Sequence, residues 1–115
     1  MVNDKNNANS ATEAFEKALK DKSGKHYVLR LYVTGSTSKS VRAVRNIKKI
    51  CDEHLGGRYE LEVVDVYQQP GEAKREGIVA TPTLVKRLPP PLKKFIGDLS
   101  DLKQVLVGLD IVPKD

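Results

Sequence analysis

The succession of apolar and turn-forming residues predicts an α/β domain built on a mixed sheet, with elements in the order βαβαββα. Three observations carry that prediction. First, a β-forming run at Tyr27–Val33 and an alternating run at Tyr59–Val66 flank a segment of helical periodicity, the pattern of a right-handed parallel βαβ unit. Second, Pro82 opens the apolar run Thr83-Leu84-Val85; proline cannot donate to a ladder, so it belongs at a strand start. Third, Pro89, Pro90 and Pro91 exclude helix and separate Thr83–Leu88 from Lys93–Ile96, which reads as an antiparallel hairpin.

Each element has its own local reason. In Tyr27-Val-Leu-Arg-Leu-Tyr-Val33 nearly every residue favours a strand. The strand period of two places Leu29, Leu31 and Val33 on one face, with Val28, Arg30 and Tyr32 on the other. Gly35 and Ser36 form a turn, and Thr37 or Ser38 caps a helix that runs to about Leu55. Val41, Val44, Ile47 and Cys51 are its apolar stripe, and Arg42, Arg45, Lys48 and Lys49 form a basic, solvated face. Gly56 and Gly57 stop it. Pro70 begins a short helix through Glu76 that Gly77 closes. In the last segment Leu99, Leu102, Val105, Leu106 and Leu109 share a helical face, with Asp98 and Ser100 as candidate caps. Yet Val105–Val112 is also rich in strand formers and Gly108 weakens a helix, so helix and strand both remain open there.

Residues 1–24 read as an N-terminal extension, and residues 25–115 as the domain proper. Within the extension Ser10 and Glu13 form a capping box, and Ala11, Ala14, Phe15, Ala18 and Leu19 make one apolar stripe before Gly24. A helix so short is marginal alone and is expected to dock on the domain or a neighbour.

Composition narrows the function. The chain of 115 residues, 39% apolar and 30% charged, suits one small globular domain. The polar N-terminus holds no secretory signal and no run approaches the roughly 20 apolar residues that span a bilayer; a cytoplasmic location is expected. The net charge is +5, and residues 1–24 hold four lysines against four acids, so the excess lies in the domain. With no tryptophan and only six Phe and Tyr, the stacking surface of a nucleic-acid binder is missing. An acidic protein surface is the better partner for that charge.

The proline-led strand and hairpin resemble the second half of a thioredoxin. A thioredoxin, however, carries its reactive thiols as Cys-x-x-Cys at the first strand-to-helix turn. The equivalent turn here, Thr34–Ser40, contains no cysteine, and the only cysteine, Cys51, continues the helix stripe. It reads as a small buried hydrophobe. His26 and His54 have no ligand spacing to Cys51 or to each other. Gly35-Ser-Thr-Ser-Lys-Ser40 lacks the glycine that precedes the lysine of a phosphate loop. No catalytic constellation, metal set or cofactor site emerges.

Six segments in order are similar to the KaiB family of circadian clock proteins: Tyr27-Val-Leu-Arg-Leu-Tyr-Val-Thr-Gly35, Ser40-Val-Arg-Ala43, Ala80-Thr-Pro-Thr-Leu84, Leu88-Pro-Pro-Pro91, Ile96-Gly-Asp-Leu-Ser100 and Val105-Leu-Val-Gly-Leu-Asp110. The match runs without gaps from about Tyr27 to Val112. The resemblance implies a non-enzymatic regulator, without cofactor, that binds a KaiC-type ring ATPase in a circadian or timer system. A KaiA-like protein or a histidine kinase are further partners that it implies.

The same resemblance implies two folds. One is a dimeric or tetrameric ground state of order βαββααβ; the other is a thioredoxin-like monomer that binds the ring. A last third that scores as both helix and strand suits two packings a few kcal/mol apart. Tyr27, Pro90, Gly108 and Asp110 match positions that bias the family's fold equilibrium. Pro82, Pro89 and Pro91 join them because X-Pro bonds exchange slowly, in roughly tens to hundreds of seconds. Arg42, Lys86, Lys93 and Lys94 are the candidate contacts to the ring, since surface cations steer association with an acidic patch. The ending Pro113-Lys-Asp115, without an acidic tail, and the segment 1–24 resemble KaiB-like proteins of non-cyanobacterial bacteria, where a timer or stress role is expected. A thioredoxin-like adaptor in a stress response or histidine-kinase signalling is the alternative, and a redox-active Cys51 is the enzyme-class one.

Overall fold

The computed structural model describes residues 25–111; the capping box and apolar stripe expected at residues 10–19 lie outside them. Strand β1 (Tyr27–Val33) leads into helix α1 (Ser38–His54), strand β2 (Tyr59–Asp65) and helix α2 (Pro70–Glu76). Strands β3 (Thr83–Leu88) and β4 (Lys93–Ile96) follow, and helix α3 (Leu102–Gly108) closes the domain. This is the expected order βαβαββα.

The sheet runs β2-β1-β3-β4, with β1 parallel to β2 and antiparallel to β3, and β3 antiparallel to β4. Leu29 stands opposite Leu61 and Leu31 opposite Val63 on one side of β1, while Leu31 faces Leu84 on the other. The register of β1 with β3 shifts between Val28 and Leu29, so that Leu29 pairs with Lys86 and Val28 with Leu88.

Period-two alternation divides the core into unequal layers. Tyr27, Leu29, Leu31 and Val33 pack with Ala43, Ile47, Ile50 and Cys51 of α1 and with Leu99, Val105, Leu106 and Leu109 around α3. On the opposite face Tyr32, Val64 and Val85 form a smaller apolar cluster with Ala73 of α2.

Local chemistry explains the helix boundaries. The Thr37 hydroxyl accepts from the Ser40 amide at 3.3 Å and caps α1. Pro70 sits in the first turn of α2, and Gly77, at φ +73, ends it in the left-handed conformation that glycine adopts without penalty.

Three expectations are corrected. The buried face of α1 is Ser40, Ala43, Ile47, Ile50 and Cys51; Val41 is exposed, because the face that meets β1 is rotated away from it. Helix α3 is capped by Asp101, whose carboxylate accepts from the Gln104 amide at 3.2 Å, and not by Asp98 or Ser100. Leu102, expected on the buried face, is half-exposed. In this fold Val105–Gly108 is helix: burial of Val105, Leu106 and Leu109 outweighs the weak helix propensity of Gly108. A Cβ on Gly108 would meet the Phe95 ring at 2.4 Å, so glycine is what lets that ring lie against the helix.

Candidate functional site

The predicted residues fall into two groups. Tyr27, Lys86, Pro89, Lys93, Gly108 and Asp110 converge where the end of α3 meets the start of β1 and the proline turn. The Tyr27 hydroxyl donates to the Leu109 carbonyl at 2.6 Å, and Lys93 Nζ donates to the Gly108 carbonyl at 3.3 Å. Lys86 Nζ donates to the Pro89 carbonyl at 2.7 Å and lies 3.9 Å from the Asp110 carboxylate. Asp110 itself takes φ +62, a conformation that aspartate tolerates better than most residues.

The electrostatics follow from burial. Burial raises the Tyr27 phenol above its ordinary pKa of 10.0, and the Asp110 charge adds to the rise. Burial lowers the Lys86 amine from 10.5; Asp110 opposes that shift, and the like charges Lys93 and Lys25 reinforce it.

Lys86 therefore requires a correction. Its side chain is 0% exposed, so in this fold it is not on the surface where a partner contact was expected. The strand period turns it to the same side as Leu84, beneath the end of α3.

The second group is spread over the surface. Arg42 Nε donates to Asp98 Oδ2 at 2.9 Å, while Asn46 Nδ2 donates to the Asp98 carbonyl at 2.7 Å. Together they pin the loop before α3 to α1. The Arg42 guanidinium, helped by the Ser100 hydroxyl and to a lesser extent by its amide, holds the Asp98 carboxyl below its ordinary range. Lys94 Nζ donates to the Glu76 carbonyl at the end of α2 at 2.7 Å. On β4, Lys93 thus reaches towards α3 and Lys94 towards α2. Pro82 lies at the opposite end of β3 from the proline turn, its carbonyl accepting from the Gly97 amide at 2.9 Å. An open groove of about 770 Å³ separates β4 from α3, lined in part by Phe95, Ile96, Val107 and Lys103.

The thiol is structural. Cys51 is buried in the α1 core, and burial, followed by the nearby Asp52 charge, pushes it up to about 12. A thiol held there is protonated at neutral pH and is a poor nucleophile. Among the described residues no group of three or more His, Cys, Asp or Glu side chains is placed to hold a metal. Also among them, no helix is long and apolar enough to cross a membrane.

Sequence reasoning missed an ion network on the α2 face. Arg30 donates to Glu62 Oε1 and Glu72 Oε1, each at 3.1 Å. The Tyr32 hydroxyl donates to Glu76 Oε1 at 3.2 Å, and Arg87 pairs with the same carboxylate. Its signal was present: Arg30 and Glu62 share a face of neighbouring strands, and Glu72 and Glu76 are one helical turn apart.

Sheet, helices and site define a thioredoxin-like domain without the thioredoxin dithiol, in which polar side chains tie the last helix to the first strand. The KaiB domain model matches residues 30–111, and the chain belongs to the KaiB family. It is 54% identical over 87 residues to the circadian clock protein KaiB3 of Synechocystis sp., spanning 76% of this chain and 85% of that one. It is 53% identical over 88 residues to the circadian clock oscillator protein KaiB of Microcystis aeruginosa, again over 76% and 85%. Among solved structures, the N-terminal domain of Synechococcus elongatus SasA matches at TM-score 0.62 and 26% identity, over 80% of this chain and 90% of that one. Mitochondrial thioredoxin 3 of Saccharomyces cerevisiae matches at TM-score 0.62 and 17% identity, over 76% and 79%; that likeness is one of fold alone. Members of the KaiB family are regulators, and the chain is not an enzyme.

Proposed function

We propose that the chain is a circadian clock or timer regulator that docks on a KaiC-type ring ATPase in the thioredoxin-like form described above. The observation that carries this reading is the 54% identity over 87 residues with a protein named for the circadian clock. A dimeric or tetrameric resting form of different topology belongs to the same proposal, as do a cytoplasmic location and a KaiA-like protein or histidine kinase as further partners. Arg42, Lys93 and Lys94 are the proposed contacts to an acidic surface of the ring; Lys86 is not among them, being buried in this fold. Tyr27, Gly108 and Asp110, together with Pro82, Pro89, Pro90 and Pro91, are the proposed fold-selecting residues. Tyr27, Gly108 and Asp110 all lie at the junction of β1 with the end of α3, where the two topologies would differ.

Size-exclusion chromatography with light scattering tests the proposal, on the chain alone and mixed with the ring ATPase in ADP and in ATP. Nucleotide-dependent co-elution of a monomer of this chain with the ring is expected, weakened by Arg42→Glu. Absence of a complex in both nucleotides would overturn it in favour of an adaptor outside any clock.

A further inference from the structure

The proline turn between β3 and β4 has an electrostatic problem that its own backbone cannot solve. Pro89, Pro90 and Pro91 carry no N–H, so these three positions contribute no donor to close the hairpin. The Pro89 carbonyl instead receives the Lys86 amine at 2.7 Å. That amine is buried, and a buried ammonium persists only where it is paired and hydrogen-bonded. Its remaining acidic neighbour is the Asp110 carboxylate, 3.9 Å away, which belongs to the segment that ends α3.

One side chain thus satisfies a turn and a helix end that are separated along the chain. Tyr27 holds the Leu109 carbonyl from β1, and Lys93, just after the proline turn, holds the Gly108 carbonyl from a partly buried position; Lys86 is the fully buried tie of the two that leave the hairpin. The cation also lies by the C-terminal end of α3, where the helix dipole favours positive charge. The register shift beside Leu29, the partner of Lys86 in β1, marks the same place on the sheet.

We propose that Lys86 is an internal latch: a single buried amine holds the proline turn and the end of α3 together, so that neither segment opens without the other. Release of the turn leaves the ammonium buried with half its partners, and this loosens Asp110; release of α3 does the same to the turn. Such coupling is reciprocal by thermodynamic necessity. It belongs to the fold and holds whichever partner the protein serves.

Amide hydrogen exchange on the full chain, read by mass spectrometry on the monomer isolated by size-exclusion chromatography, tests the latch with Lys86→Met, which keeps length and removes the charge. Exchange in residues 104–111 and at the amides that flank the turn prolines, Leu88, Leu92 and Lys93, is expected to accelerate together, at least about tenfold, while residues 27–33 stay within about twofold. Asp110→Asn, whose shape and left-handed backbone asparagine retains, is expected to accelerate the same two segments to a smaller extent. It should add nothing in the Lys86→Met background. Acceleration of one segment alone, of neither, or of the whole domain uniformly would overturn the latch. Should Lys86→Met fail to fold, the Asp110→Asn pattern decides by the same criteria.

Discussion

The Tyr27 hydroxyl donates to the Leu109 carbonyl at 2.6 Å across 82 positions of sequence, so the first strand of the described domain completes the end of its last helix. Tyr27→Phe keeps the ring and removes the donor, leaving a buried carbonyl without that partner. Such a loss costs about 1–3 kcal/mol. The urea midpoint is expected to fall with an unchanged slope; an unchanged midpoint would show that the bond contributes nothing.

Alkaline pH should weaken the domain through two buried acids. Cys51 is raised from 9.0 to about 12, and Tyr27 is raised above 10.0. In both, the folded state holds its proton more tightly than the unfolded chain. Their contribution is therefore complete below pH 9 and drains away as pH rises through the folded values. Stability measured by denaturant titration is expected to decline from about pH 9 upward, and Cys51→Ala should remove the early part of the decline. The Lys86 amine, lowered by burial, opposes part of this trend, so identical profiles for wild type and Cys51→Ala up to pH 11 would contradict the assignment.

The same burial predicts an inert thiol. A disulfide-exchange reagent at pH 8 is expected to modify Cys51 at the rate of domain opening, and promptly in denaturant. Fast modification of the native protein would instead place the thiol at the surface.

Arg42 offers a way to separate contact from scaffolding. Arg42→Glu removes both a surface cation and the bond to Asp98, whereas Asp98→Asn weakens only the bond. If Arg42 meets an acidic partner, Arg42→Glu should weaken binding by about tenfold or more, with a shallower salt dependence. Asp98→Asn should stay within about threefold. Equal losses in a surface-binding assay would make Arg42 a loop anchor only.

Gly77 closes α2 at φ +73, and its added Cβ would lie 3.5 Å from Lys94 Nζ, an ordinary contact. The cost of Gly77→Ala is therefore backbone strain, about 1–2 kcal/mol. Thermal melts are expected to show it, and Gly77→Asn should recover part of it. Equal melting of wild type and Gly77→Ala would show that the helix end relaxes freely.

The strand–helix–strand half was legible because each element carries its own signal: β-formers in Tyr27–Val33, a Thr37 cap, paired glycines after His54. Pro70 and Gly77 bracket α2 just as plainly. The start of α3 was less readable, since Asp98, Ser100 and Asp101 can all cap a helix. Arg42 and Asn46, more than fifty positions away, occupy Asp98 and leave the cap to Asp101. Lys86 was misread as a surface cation for a related reason. Its parity with Leu84 pointed inward, but only the donorless proline turn explains why a charge belongs there. The family's motifs were plain in sequence, whereas the polar ties at the end of α3 exist only once distant segments meet.

The unequal core has a kinetic consequence. Facing α1 and α3 the sheet is backed by a deep apolar layer, while Tyr32 and Val85 are covered by one short helix, the partly buried Val66 and Ile78 and a web of half-exposed ion pairs. Such pairs weaken with salt and hold little against water. The α2 side is therefore expected to be the domain's soft flank and to open before the α1 side. Added salt would widen that difference, making the molecule stiff on one side and yielding on the other.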